Sequence, residues 1–315
     1  MGVALVSSLT VLLPTFNGAR YLPGQLDSLR RQTAQDFAVL IQDDGSTDET
    51  SAILRDLRQD PIFLFGNEPG RHLGAKGNFL SLMRQADSPY VALCDQDDVW
   101  EAERLALGRK RMEEAEARYG PETPLLVHSD CAVTGEAGRI LHPSFFRHQG
   151  WDPAAVTLPR LLVQNNVTGC TVLMNRALCS LAAQHADPER IFMHDWFLAV
   201  TAAAFGHILF IEKPLVRYRQ HGNNAVGASR NGRISRAFHA FGDPSRVQKR
   251  IALTYEQAAV FLDCYGEELP ERARETVETY LHTAKLPKIR RIHAVSRGGY
   301  TMQSRAARWG QKLFG

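Results

Sequence analysis

The sequence has no C-x-x-C pair, no phosphate-binding G-K-[ST] loop and no apolar run near the roughly 18 residues that mark a membrane span. Each absence excludes a class. Five cysteines, Cys94, Cys131, Cys170, Cys179 and Cys264, are odd in number and scattered, so neither a disulfide framework nor a zinc site is expected, and a reducing, cytosolic compartment fits. No G-x-G-x-x-G follows the first strand-like run, and Gly70, Gly74 and Gly77 lack its spacing, which argues against a dinucleotide oxidoreductase. The Gly-rich, Lys/Arg-containing signature of a nucleotidyltransferase is missing from the same place. The opening residues, MGVALVSSLTVLLP, lack a basic n-region and a small-residue cleavage site, so they read as a buried strand rather than a signal peptide. There is no internal repeat, and no aromatic-basic RNA motif, so no nucleic-acid partner is expected. The sequon Asn166-Val167-Thr168 has no meaning in a cytosolic protein.

What is present is an ordinary globular composition: 315 residues, 44% apolar and 23% charged, with a formal net charge of +3. That length holds one large α/β domain with a helical appendage. Apolar runs at 9–14, 37–42, 62–66 and 90–95 read as strands, and amphipathic segments around 20–31, 48–58, 74–86 and 101–117 read as helices between them. Alternation of this kind implies a mostly parallel sheet covered by helices on both faces. After about residue 125 the order loosens into strand-like pieces, LLVHSD, CTVLMN, GHILFIE and LVRYRQ, around one clear helix from His194 to about Ala204. From about 232 the pattern is helical, with breaks near Gly242, Pro244, Pro270 and Pro287. The division expected is residues 1–228 as the nucleotide-binding α/β domain and 229–315 as a C-terminal helical region.

In an open parallel sheet, chemistry is expected where strands end. The second strand ends in Asp43-Asp44-Gly45-Ser46-Thr47-Asp48. Ser46, Thr47 and Asp48 suit the start of the next helix, while two adjacent acids at a strand terminus call for partners such as ribose hydroxyls or a base imide. The fourth strand ends in Cys94-Asp95-Gln96-Asp97-Asp98-Val99-Trp100, three carboxylates in four residues. Such a cluster needs a counter-charge, and Mg2+ or Mn2+ bridging a diphosphate is the natural one. An exposed acidic loop with Asp98 capping the following helix would account for one of the three.

In order and spacing, Pro14-Thr15-Phe16-Asn17, Gln32-Thr33, Asp43 to Asp48 and the D-x-D-type Asp95-Gln96-Asp97-Asp98 resemble the inverting family-2 glycosyltransferases of the GT-A fold, over roughly residues 9–225. The resemblance implies a base pocket lined by Thr15 and Phe16, with Pro14 and Asn17 in the same motif. It implies contacts of Asp44 to the base or ribose and of Asp95 to the ribose, and a metal held by Asp97, shared by Asp98. Lys76 falls where the family often places a basic residue near the nucleotide; an exposed lysine is the plain alternative.

Transfer with inversion needs a base for the acceptor hydroxyl. The resemblance puts Asp195, in His194-Asp195-Trp196, at that point, where a helix N-terminus is expected to keep it ionised. His194 and Trp196 would shape the acceptor pocket, although a Trp on an amphipathic helix is more often core. In Tyr218-Arg219-Gln220-His221-Gly222-Asn223-Asn224, His221 could complete the metal shell, tilting the choice toward Mn2+, though a lone His is usually not a ligand. Arg217 and Arg219 are alternative partners for the diphosphate.

Asp-Gln-Asp-Asp-Val-Trp, His-Asp-Trp and Tyr-Arg-Gln-His-Gly-Asn-Asn together are similar to bacterial rhamnosyltransferases of surface polysaccharide (O-antigen type) synthesis. That implies a dTDP-rhamnose donor and a saccharide or lipid-linked saccharide acceptor. The alternatives are a UDP-hexose transferase of the same fold and a non-catalytic saccharide-binding module, which would not need both a metal site and a base. Segment 285–314 interleaves Arg and Lys with Leu286, Ile289, Ile292, Trp309, Leu313 and Phe314. It reads as a peripheral contact with the inner face of an anionic membrane, or equally as an oligomerisation or solvated tail.

Overall fold

A computed structural model describes residues 7–67, 70–221 and 244–314. The four apolar runs form β1 (Leu9–Thr15), β2 (Ala38–Asp43), β3 (Phe63–Phe65) and β4 (Tyr90–Leu93), and every β1–β2, β1–β4 and β2–β3 pairing is parallel. They carry continuous rather than alternating apolar sequence because both faces are covered: Val11, Leu12 and Leu13 are all fully buried, yet Leu12 belongs to one core cluster while Val11 and Leu13 belong to the other. Helices α1 (Leu22–Arg30), α2 (Thr50–Asp56) and α3 (Gly74–Gln85) connect these strands, and α4 (Arg104–Tyr119) follows β5 (Val99–Trp100).

The remaining strands are β6 (Leu125–Thr134), β7 (Ile140–His142), β8 (Leu173–Asn175) and β9 (His207–Arg219). The sheet runs β3-β2-β1-β4-β8-β6-β9-β5, with β7 on β6. β8 lies antiparallel to both β4 and β6, so the sheet is parallel in its first half and mixed beyond it. Chain order reverses at β1, between β2 on one side and β4 on the other, which opens a crevice at the carboxyl ends of these strands.

GHILFIE and LVRYRQ form one strand, not two. Pro214, which cannot donate to a ladder, is absorbed by register shifts around Asp130 in β6 and leaves β9 continuous through Arg219. CTVLMN is shorter as a strand than its sequence suggests, because residues Gly169–Thr171 make a 3-10 turn before β8. Between 145 and 185 lie α5 (Phe145–Gln149), α6 (Leu158–Val163) and α7 (Arg176–His185), ahead of the expected α8 (His194–Phe205).

The C-terminal helices are α9 (Pro244–Tyr265), α10 (Glu271–Thr283), α11 (Lys288–Arg297) and α12 (Arg305–Phe314), broken at Pro270 and Pro287 as expected. The boundary placed at 228/229 and the break near Gly242 lie outside the described residues. These helices are not a loose tail. Phe261, Tyr265, Val277 and Tyr280 are buried in the same cluster as Leu12 and Leu93 of the sheet. No helix among the described residues is long and apolar enough to cross a membrane.

Candidate active site

A cavity of about 1410 Å³ opens at the carboxyl ends of β1 and β4. Pockets for a single drug-sized ligand measure roughly 300–1,000 Å³, so this volume accommodates two substrates. It is lined by Pro14, Thr15, Phe16, Asn17 and Asp44, by Asp95, Gln96, Asp97 and His221, and by Asn165 to Gly169 with His194 to Trp196.

The first wall is built by loops that satisfy one another. Asn17, at φ 45°, takes a left-handed turn; its N–H donates to Ser46 Oγ and its Oδ1 accepts the Thr47 N–H. Asn17 is therefore a brace as much as a lining residue. Gln96, the middle of the D-x-D run, clamps the backbone of Phe16 from both sides: Oε1 accepts its N–H at 3.0 Å and Nε2 donates to its carbonyl at 2.8 Å. Phe16 is left 42% exposed, its ring 4.6 Å from that of His72, a flat apolar surface facing the cavity.

Two expected contacts need correction. Asp43 is not among the lining residues: Oδ1 accepts the Thr15 and Ser46 hydroxyls and Oδ2 the Ser46 N–H, so its charge stabilises the turn. Lys76 also points elsewhere, its Nζ donating to the Ile191 carbonyl at 2.8 Å. Asp44 does reach the cavity but is only 3% exposed, its two oxygens accepting the Leu73 and Gly74 N–H groups at the start of α3, each at 2.7 Å.

The acidic cluster divides by depth. Asp97 faces the cavity, its Oδ2 2.6 Å from Nε2 of His221, which stacks on Tyr21. Asp95 faces it too; burial first, then the Asp97 and Asp195 charges, push its carboxyl up to about 8. Asp98 lies beneath the floor, fully buried, with Oδ1 accepting the Arg219 N–H, and burial raises it well above the usual carboxylate range. A metal role shared by Asp98 is thereby displaced, since it does not line the cavity. Asp95, Asp98 and Cys170 do offer ligand atoms within 4.8 Å of one another, but burial keeps the Cys170 thiol protonated, a poor donor for a hard cation. Asp97 with His221, a carboxylate and an imidazole facing the cavity, is the donor set that fits Mn2+ or Mg2+.

Arg104 was not anticipated. It sits fully under the cluster, donates to the carbonyls of Leu93, Cys170 and Val172, and stacks 3.5 Å from the Trp100 ring centroid. Burial lowers it to about 10, still protonated at neutral pH, so a positive charge lies beneath the acidic cluster, satisfied by backbone carbonyls rather than by an ion pair. In sequence it is one arginine on an amphipathic helix, with nothing to mark it. Arg217 and Arg219 do not reach into the cavity as diphosphate partners: Arg217 pairs with Glu101, and Arg219 Nε donates to the Asp97 carbonyl.

Asp195 opens α8, half-buried, and lines the cavity. Its Oδ2 accepts the Gly169 N–H at 3.2 Å and its Oδ1 the Trp196 N–H at 2.6 Å. The helix terminus was expected to depress its pKa; burial prevails and raises it to about 6 against those N–H groups and the nearby Asn165 amide. His194 is 6% exposed and stacks on Phe79 at 4.2 Å, and neither ring nitrogen has a protein partner. Burial lowers it to about 3, so it faces the cavity as a neutral imidazole. Trp196 lines the cavity while packing against the core, its Nε1 donating to the Leu161 carbonyl.

A sequence profile described as Glycosyl transferase family 2 matches residues 10–119. A dTDP-rhamnosyl transferase, RfbG of Shigella flexneri, is 24% identical over 228 residues, 69% of this chain and 74% of the relative. A beta-1,3-glucosyltransferase of Campylobacter jejuni, named for a GalNAc(5)-diNAcBac-PP-undecaprenol acceptor, is 32% identical over 92 residues, 29% of either chain. Among solved structures, S. aureus TarS 1–349 in complex with UDP has a TM-score of 0.56 at 17% identity, covering 92% of this chain and 80% of that one. Against the longer TarS structure this chain spans 43% of its length. The shared architecture is the GT-A fold.

Proposed function

We propose, from the premise that this chain carries a family 2 glycosyltransferase domain on the GT-A fold, that it moves a sugar from a metal-bound nucleotide donor to a saccharide acceptor with inversion. The observation that carries the reading is one cavity lined by both the Asp97–His221 pair and the Asp195 carboxylate. Pro14 to Asn17 and Asp44 border the nucleotide end, and Asp95 faces the ribose side. Asp97 and His221 would hold a divalent cation, which when bound supplies positive charge to the departing diphosphate. Asp195, ionised above about pH 6, accepts the proton of the acceptor hydroxyl as that oxygen bonds to the anomeric carbon and the bond to the diphosphate breaks on the opposite face. The Gly169 and Trp196 N–H groups hold the carboxylate for that step. His194 offers a neutral imidazole and Trp196 a ring edge to the acceptor.

L-rhamnose from dTDP-rhamnose is the donor we favour, because the relative matched over most of this chain bears that name. A UDP-sugar is the second reading, favoured by the UDP complex of a neighbour of like fold. The acceptor belongs to surface polysaccharide synthesis, at the cytoplasmic side of a membrane. Ile289, Trp309 and Leu313, exposed at 74%, 60% and 44%, would provide peripheral contact. Calorimetric titration with thymidine, uridine and guanosine diphosphates, with Mn2+ or with chelator, tests the reading. Metal-dependent binding of a thymidine or uridine diphosphate supports it and names the donor class; no response to any nucleotide overturns it and favours a saccharide-binding module.

A further inference from the structure

Two arginines line the cavity among the described residues, and both come from the C-terminal helices: Arg250 on α9 and Arg305 at the start of α12. No described carboxylate forms a salt bridge with either. Arg250 keeps accessible surface by facing the cavity, while the surrounding protein lowers its pKa through desolvation alone. Both side chains are exposed, and two cations lining one cavity without a described carboxylate partner favour an anion there.

A third group points the same way. Ser304 caps α12, its Oγ accepting the Ala307 N–H at 3.1 Å, and residues 304–307 all line the cavity. The open end of a ten-residue helix therefore faces the cavity, with first-turn N–H groups that have no acceptor within the helix. The end is fixed rather than splayed. Gln303, 8% exposed, donates to Asn166 Oδ1 at 2.6 Å, and its own N–H donates to Gln164 Oε1 at 2.9 Å.

Those ties place the cationic end beside the base rather than the nucleotide. Gln164 and Asn166 belong to the loop that ends at Gly169, the residue that holds Asp195. Gln257 of α9 accepts the Phe192 N–H, three residues before Asp195. Arg250 lies seven residues earlier on the same helix, about 10 Å along its axis. The carboxylate and imidazole for a donor's cation, Asp97 and His221, come from other elements, the turn after β4 and the end of β9.

We infer that Arg250, Arg305 and the N-terminus of α12 form an anion subsite for a phosphate ester of the acceptor, bound so that the acceptor's free hydroxyl meets Asp195. The inference rests on the transferase reading and names the acceptor's chemistry: a phosphorylated saccharide, either a glycosyl diphosphate on a lipid or a polyol phosphate chain.

The test uses the full chain saturated with Mn2+ and whichever nucleoside diphosphate it binds, so that the donor site is filled. Geranyl diphosphate and glycerol 3-phosphate are titrated as probes of the two sources. Tighter binding of the first points to a lipid diphosphate acceptor and tighter binding of the second to a polyol phosphate. Arg250→Gln and Arg305→Gln should each weaken the preferred probe about tenfold, and Arg250→Lys less, while the nucleotide Kd changes by less than twofold. Ala306→Glu guards against misfolding, since an acid in the first turn favours the helix while its charge repels an anion; it should abolish probe binding without lowering Tm. A wild-type protein that binds nucleotide but neither probe, or variants that leave probe affinity unchanged, overturn the subsite and leave the transferase reading standing. Variants that lose nucleotide and probe together assign the arginines to the donor and also overturn it. A protein that binds no nucleotide fails at the earlier step.

Discussion

The end of the cavity we assign to the nucleotide and the end we assign to the acceptor are assembled differently. At the first, the turns after β1, β2 and β4 carry lining residues within a few positions of the strand end, Thr15 to Asn17, Asp44 and Asp95 to Asp97, and His72 and Gly74 join them from the start of α3. At the acceptor end, Asn165, Asp195, Arg250 and Ser304 come from segments separated by up to 139 residues and joined by contacts such as Gln303 with Gln164. Substitutions at the first end should therefore act on donor binding, and substitutions at the second on turnover.

The largest expected effect is at the base. Asp195→Asn should lower single-turnover transfer roughly 1,000-fold with the nucleotide Kd unchanged. A variant keeping a tenth of the rate would move the base elsewhere. Next is its support: a Cβ on Gly169 would lie 3.2 Å from His194 Nε2 and 3.4 Å from Asp195 Cβ. Gly169→Ala should thus cost roughly 10- to 100-fold in kcat by misplacing the carboxylate, again sparing the nucleotide. If it raised the nucleotide Kd instead, the two ends would be coupled.

The pH profile separates burial from helix-terminus control of Asp195. Burial holds this carboxyl at about 6, so the protonated, inactive form accumulates below pH 6 rather than below the ordinary carboxylate range. The rate at pH 5 should be about tenfold under its plateau. An acid limb near pH 4 would contradict the burial argument. Asp97→Asn should weaken nucleotide binding about tenfold in Mn2+, about 1.4 kcal/mol, and not at all in chelator, as read by calorimetry. The smallest effect belongs to Lys76→Met: with its Nζ on the Ile191 carbonyl, it should change kcat slightly and leave the nucleotide Kd within about twofold. A large rise in that Kd would return Lys76 to the donor.

The parallel half of the fold was legible because buried strands must be continuously apolar and the helices crossing them must be amphipathic, so local sequence carries the pattern. Most of the residues that line the cavity near β1, β2 and β4 were legible for the same reason, since their motifs sit at strand ends. Function and bracing look alike in sequence, however. Asp43 and Asp44 are adjacent acids, and only the direction of each side chain separates a turn that consumes one from a cavity wall that keeps the other.

Sequence by itself determined the alternating α/β order, the acidic turn after β4 and the presence of an acid opening α8. Tertiary structure alone decided that Asp98 lies beneath the floor, that Arg104 is buried and charged under the acidic cluster, that burial outweighs the helix end at Asp195, and that the C-terminal helices wall the cavity. The physical reason is common to all four. Desolvation and counter-charge depend on which distant segments surround a group, and no window of sequence contains that neighbourhood.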